Sequence, residues 1–207
     1  MPRQPDPDVE GRILDVAHKL WKHGGDKALT MRAVARAART NTPAVYRRFK
    51  DKKDIQRALL LRIRQDVIAE MEKAKTAAEA CERYLDFALN HPYEYELFYR
   101  HDHELLHKRG HDGVHDKLVN RPGVDAMRSI LAEGLGGAPE DHARLALALW
   151  MVGHGAAMLM IAKMIAPESQ GAARSVFRDT VQMLLREASS MSEASTKVAD
   201  GGRTARG

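Results

Sequence analysis

The chain has a single cysteine, Cys81, among its 207 residues. An internal disulfide is therefore excluded, paired-cysteine metal sites are absent, and a reducing compartment suits the composition. Cys81 sits in a helical pattern, where it reads as a small core residue rather than a nucleophile. Aromatic residues are scarce, at 5 %. No stretch alternates apolar and polar residues with period two, so strands have no signal. Also missing are a Gly-x-Ser-x-Gly elbow and a phosphate-binding loop, and Gly153-His154-Gly155 lies in a helical run rather than after a strand. The expectation is a non-enzyme without a cofactor. The opening MPRQPDPD lacks the apolar core of a secretory signal, and the expected location is cytoplasmic.

Acidic charge is scarce in one part of the chain only. Residues 1–64 hold 16 Lys+Arg against 7 Asp+Glu, whereas residues 65–207 hold 17 against 21. A basic head joined to a slightly acidic body is the electrostatic footprint of a nucleic-acid module attached to a module with a different partner.

What fills the chain is helix. A first helix from Asp8 to about His23 presents Val9, Ile13, Leu14, Ala17, Leu20 and Trp21 on one face and stops at Gly24-Gly25. A long helix from Asp51 to about Lys73 repeats Ile55, Leu59, Ile63, Val67 and Met71 at intervals of four. Thr76 and Glu79 form a capping box for a helix ending near Asn90, before His91-Pro92. Tyr95, Phe98, Tyr99, Leu105 and Leu106 mark the next helix; Val124, Met127, Ile130, Leu131 and Leu135 mark another, closed by Gly136-Gly137. From Leu145 to Ala162 there are 18 residues without a formal charge. A membrane span is considered for that run, but its alanines, its central His154 and the basic head favour a buried helix between a pocket and a partner. A last helix from about Glu168 to Ala188 carries Ala173, Val176, Phe177, Val181, Leu184 and Leu185 as a stripe.

The most specific stretch is TMRAVARAARTNTPAVYRRF, residues 30–49. Thr30 caps a short helix, with Leu29 and Val34 placed as a hydrophobic staple. Asn41 or Thr42 caps a second, with Pro43 at its first helical position. About three residues separate them, the turn length of a helix-turn-helix. On the second helix Val45 and Phe49 share the inward face, Pro43, Tyr46 and Arg47 point outward, and Ala44 and Arg48 flank them. Arginine reads guanine edges or neutralises phosphate, and a tyrosine hydroxyl reaches phosphate. Asp51 caps the following helix with Lys52 at its first position, where a bound phosphate would offset the dipole.

Residues 28–55 resemble the TetR-type transcriptional regulators, whose pattern is a Thr-capped helix, a small-residue turn, a Leu/Val-Tyr-x-x-Phe recognition helix and a nearby lysine. Thr30, Val34, Ala35, Ala38, Val45, Tyr46, Phe49 and Lys52 stand at the matching places. The chain departs at the turn, with Arg39 and Thr40 where Gly and Val are usual. Trp150, Gly153, His154 and Gly155 resemble a Trp-x-x-x-His-Gly signature of one subgroup.

The resemblance implies an all-α fold of about nine helices: a three-helix DNA-binding domain over residues 1–55, a helical regulatory and dimerisation domain over 56–188, and a disordered tail over 189–207. It implies a homodimeric regulator, usually a repressor, that grips a palindromic operator in duplex DNA through Thr30, Arg32, Arg39, Thr40, Asn41, Thr42, Pro43, Ala44, Tyr46, Arg47, Arg48 and Lys52. A small-molecule effector would meet Phe98, Met127, Trp150, Met151, His154 and Met158, and a partner copy would meet Ala173, Phe177, Val181 and Leu184; no membrane is involved. Two alternatives stand beside this reading. One is a metal-responsive regulator using the histidine cluster 101–115, in which His103 and His107 lie one turn apart, although a solvated face explains those residues too. The other is a helical binding module or enzyme with no DNA role.

Overall fold

The computed structural model describes residues 9–106 and 122–201, with side chains described for 9–99 and 123–191. Every regular element among them is helical: α1 Val9–Ala28, α2 Met31–Ala37, α3 Thr42–Tyr46, α4 Lys52–Glu72, α5 Ala77–Asn90, α6 Pro92–Leu106, α7 Pro122–Leu135, α8 Ala143–Ile161 and α9 Gln170–Gly201. Single 3-10 turns, Pro139–His142 and Pro167–Ser169, precede α8 and α9.

The chain divides into two compact units, and the division differs from the expected boundary at residue 55. The first unit runs through Asp66 and resumes at Asn90 to take in α6; the second holds Val67–Leu89 and the residues from α7 onward. α6 falls in the first unit, where it packs against α1. On α1 the residues Ile13, Ala17 and Trp21 are buried as their spacing requires, and so is His18. His18 forms an ion pair through Nε2 with Glu94 of α6, a carboxylate only 1 % exposed. Lys22 Nζ stands 3.6 Å from the same oxygen, His91 Nδ1 is 2.8 Å from the other, and the Trp21 indole N–H donates to the Tyr93 carbonyl at 2.7 Å. Burial alone pushes the Glu94 carboxyl up, but the His18 hydrogen bond and the charges of Lys22, His18 and His91 outweigh it and hold the group below its ordinary range. A polar anchor of this kind has no periodicity, so hydrophobic patterning does not find it.

Gly25 explains how α1 reaches α2. The helix kinks there, at φ 56° and ψ −144°, and a Cβ at this position would lie 2.9 Å from the Tyr93 ring. Only glycine satisfies both the left-handed backbone and the close approach.

The turn between α2 and α3 is a Schellman closure. The Thr40 N–H donates to the Ala35 carbonyl at 2.9 Å and the Arg39 N–H to Arg36 at 3.2 Å, with Arg39 left-handed at φ 52°. The unusual residue at this place therefore does not reshape the turn; it adopts the conformation glycine would.

In the second unit α8 packs against α7 and α9. Arg178 Nε donates to Glu82 Oε1 at 2.9 Å and Arg174 pairs with Asp86, tying α9 to α5. Thr76 caps α5, accepting from the Glu79 N–H at 3.1 Å, while the Glu79 carboxylate accepts from the Lys75 N–H at 2.9 Å, one residue before the N–H a capping box would use. The expected tail over 189–207 begins as helix instead, because α9 continues to Gly201. Nothing between Ser189 and Asp200 breaks a helix, and alanines, glutamate and lysine there favour one.

Two stability measurements follow. Glu94→Gln is expected to cost about 2 kcal/mol by urea denaturation, the size of a hydrogen bond to a charged group. Because the folded carboxyl titrates below its unfolded value, its contribution is complete above the usual carboxylate range and fades as pH falls through the lowered folded value. The acid limb of the stability profile should flatten in the variant. Arg39→Gly should stabilise by about 0.5 kcal/mol, since relief of about 1–2 kcal/mol of left-handed strain exceeds the added freedom of glycine in the unfolded chain; a loss of stability would contradict the turn geometry.

Candidate nucleic-acid interface

The reading element is organised by two buried anchors. Val45 and Phe49, one helical turn apart, are both in the core. Their burial turns the opposite side outward, and Pro43, Tyr46, Arg47 and Arg48 are all exposed, Tyr46 by 53 %. Ala44 is the exception among the expected contacts. It is buried, because one 100° step from Val45 leaves a small side chain at the edge of the packed face rather than on the open one. The rod is also shorter than the expected Pro43-to-Phe49 segment. Regular helix ends at Tyr46, with Arg47 as its C-cap, and the Phe49 N–H still reaches the Val45 carbonyl at 2.9 Å.

Caps hold both short helices. Thr30 Oγ1 accepts from the Ala33 N–H at 3.1 Å, and Asn41 Oδ1 accepts from the Ala44 N–H at 2.9 Å. Asn41, not Thr42, is thus the second cap. The side-chain oxygens of Thr30 and Asn41 aim the helices, and the Thr30 O–H and Asn41 amide N–H groups remain as donors. Thr40 and Thr42 are half-buried in the turn.

Arg32 and Arg39 are exposed, and so is Arg36, which sequence reasoning passed over although it follows Arg32 by one turn. Among the described residues none of Arg32, Arg36, Arg39, Arg47 and Arg48 is paired with a carboxylate. Lys52 differs. Its ammonium donates to the Asp26 carbonyl at 2.7 Å and lies 2.8 Å from Asp26 Oδ1, while the Gln56 amide donates to the same carboxylate at 2.8 Å. Any phosphate at Lys52 has to compete with Asp26, a partner too distant in sequence to anticipate. Asp51 caps α4 as expected, accepting from the Asp54 N–H at 2.9 Å.

The second unit contains a cavity bordered by Met71 at the end of α4, Cys81 and Tyr84 of α5, Met127 of α7, and Leu149 and Trp150 of α8. Gly123, Ala146 and Gly153 complete its wall. Its space is about 10 Å³, room for roughly one water molecule and far short of the ~300 Å³ that a small-molecule site begins at. Of the expected effector residues, Met127 and Trp150 border it. His154 is half-buried one turn along, its ring stacked on Trp150 with centroids 5.3 Å apart and planes 2° from parallel. Met151 and Met158 face outward instead, at 60 % and 41 % exposure. Phe98 lies in the first unit, edge-on to Tyr99. Burial pushes the Cys81 thiol up to about 12, so it is a protonated wall group and not a nucleophile.

The residues expected to face a partner on α9 differ in burial. Phe177 and Val181 are buried within the single chain, with Phe177 under Gly153, while Ala173 and Leu184 are half-buried. Among the described residues, the large apolar side chains that the last two helices leave exposed are Val176, Met183 and Met191 on α9 and Met151, Met158 and Leu159 on α8. Periodicity alone cannot tell which of two neighbouring stripes meets the home core. The histidine cluster 101–115, with His103 and His107, lies outside the residues whose side chains are described. Among the described residues no three metal-binding side chains gather.

The comparisons with known proteins agree with this layout. Residues 13–59 match the family described as bacterial regulatory proteins, tetR family, and residues 77–194 match the Tetracyclin repressor-like C-terminal domain. The second match does not assign the Trp-His-Gly subgroup. Similar solved structures include a protein of unknown function from Rhodococcus sp. RHA1, 21 % identical with a TM-score of 0.66, covering 90 % of this chain and 98 % of the other. A possible TetR family transcriptional regulator from Streptomyces coelicolor A3(2) is 17 % identical at a TM-score of 0.57, covering 88 % and 99 %. A TetR-like transcriptional regulator from Rhodococcus sp. RHA1 is 18 % identical at 0.56, covering 90 % and 98 %. These likenesses concern the fold, and no curated protein matches the chain. With the capped reading helices and the C-terminal bundle both matched, the second match alone spanning more than half of its length, the chain belongs to the TetR family and is a DNA-binding transcriptional regulator.

Proposed function

We propose that the chain acts in the cytoplasm as a homodimeric repressor of a palindromic operator, released when a small molecule occupies the C-terminal cavity. The observation that carries this reading is the outward set Tyr46, Arg47 and Arg48, flanked by Arg32, Arg36 and Arg39. Among the described residues these arginines have no carboxylate partner, so they are open to phosphates and base edges. Tyr46 and Arg47 are assigned to the major groove, Pro43 to close approach beside them, and Thr30 and Asn41 to aiming. The reading needs no catalytic step.

Two reading heads are needed because a helix of five residues touches few bases. Binding half-sites about 34 Å apart restores affinity and register. The exposed apolar side chains of α8 and α9 support a self-complementary contact between two copies, with Val176, Met183, Met151, Met158 and Leu159 across the interface. The segment Pro139–Ile161 is long and apolar enough to cross a membrane by length and composition. Its outward methionines are better explained by a second copy, because α8 also carries the buried Ala146, Leu149, Gly153 and Ala157 of a packed inner face. An effector then acts by population: it weakens operator binding only as far as it binds the released conformation more tightly than the bound one.

Selection of bound sequences from random duplex DNA is expected to return an inverted repeat. On the selected site Arg47→Ala should lose about 1–3 kcal/mol of discrimination at one position, and Arg32→Ala should weaken all sequences alike and lower the salt dependence by about one phosphate. Unchanged selectivity in both Arg47→Ala and Tyr46→Ala would reject the reading face. Joint replacement of Val176 and Met183 by Glu should yield a folded monomer by sedimentation, with half-site affinity only; a persisting dimer would place the interface elsewhere.

A further inference from the structure

We infer that the C-terminal cavity takes an uncharged, largely apolar aromatic molecule, and that it does so by displacing methionines rather than by filling ready-made space. The inference rests on the proposed effector reading of that site and deepens it. The wall supplies the class. Met71, Cys81, Tyr84, Met127, Leu149 and Trp150 offer no cation and no carboxylate, and the Cys81 thiol stays protonated. A carboxylate, phosphate or ammonium ligand would enter without a counter-charge among mostly apolar walls, an unfavourable place for one. Two aromatic rings and two thioethers instead favour the edges and faces of a neutral ring system.

The size supplies the manner of entry. Space for about one water rejects any molecule of ten or more heavy atoms as the cavity stands. The most adaptable parts of the wall are Met71 and Met127, whose unbranched side chains reach other rotamers without moving backbone. Opposite them the wall is stiff: a Cβ on Gly153 would already lie 3.3 Å from the Tyr84 ring. Opening is therefore concentrated on the methionine side. Met71 sits in the last turn of α4, the helix whose first turn carries Lys52.

The test uses the full-length protein with Trp21→Phe, so that Trp150 is the remaining tryptophan. The probes are 1-naphthol, its charged relative 1-naphthoate, and inorganic phosphate, followed by Trp150 fluorescence and by calorimetry. Saturable binding of 1-naphthol is expected, with 1-naphthoate at least tenfold weaker and phosphate silent. Met127→Ala, which removes part of the opening cost, should tighten 1-naphthol at least threefold. Gly123→Leu, whose side chain would project toward the space near Met71, should abolish binding with an unchanged thermal melt. If 1-naphthoate binds as well as 1-naphthol, or if neither wild type nor Met127→Ala binds 1-naphthol, the assignment of ligand class is overturned. Binding that ignores both variants overturns the site. Operator release is measured separately: 1-naphthol that binds as described yet leaves DNA affinity untouched defeats the effector reading while the ligand class stands.

Discussion

A helix of five residues has no stability of its own, since closing a single turn fixes several backbone angles for one hydrogen bond. Whatever α3 presents to DNA is therefore held from outside the helix. Three constraints do this: the burial of Val45 and Phe49, the Asn41 cap, and the Schellman closure through Arg39. Each of the two anchors contributes about 2 kcal/mol of burial, and together they fix both the position and the rotation of the element. The outward direction of Tyr46 and Arg47 is a consequence of which neighbours are inward. The same logic runs back through the first unit. α3 packs on α2 and α2 on α1, and α1 is in turn fixed to α6 by a carboxylate that burial pushes toward neutrality and that His18, Lys22 and His91 keep charged.

The parts of this arrangement written in local chemistry were legible in the sequence. Thr30, Asn41, Asp51 and Thr76 are capping residues whose effect spans three or four positions, and each acts as its spacing required. The buried stripes of α1 and α4 followed from periodicity. What could not be read depended on partners far along the chain. Nothing near His18 in the sequence signals its partner, Glu94, which lies 76 positions later. Lys52 looked free until Asp26 did the same. For α9 the difficulty was degeneracy, because Phe177 and Val181 lie beside Val176 and Met183 on the helix surface and both stripes are apolar. Only packing against Gly153 shows which is spent on the home core. The cavity lay between these cases: Met127 and Trp150 were found, while Met71, Cys81 and Tyr84 were hidden because they come from helices that pattern reading treated as ordinary core.

The small cavity and the exposed methionines draw on the same property of one side chain. Unbranched thioethers pack without strain in several rotamers, so Met71 and Met127 can border a space that is nearly filled in one conformation and open in another. On α8 and α9 the same flexibility lets an apolar surface adapt to whatever shape meets it.

The pairing of Lys52 with Asp26 has a consequence for how the head meets a charged rod at long range. That ammonium stands beside the positive end of α4, and its field is largely cancelled by the carboxylate it already touches. Among the described residues Arg32, Arg36, Arg39, Arg47 and Arg48 have no carboxylate partner, so they carry more of the unit's outward charge than Lys52 does. A lopsided field of this kind exerts a torque as well as an attraction, so diffusional encounters are steered arginine-side first, before any base is touched.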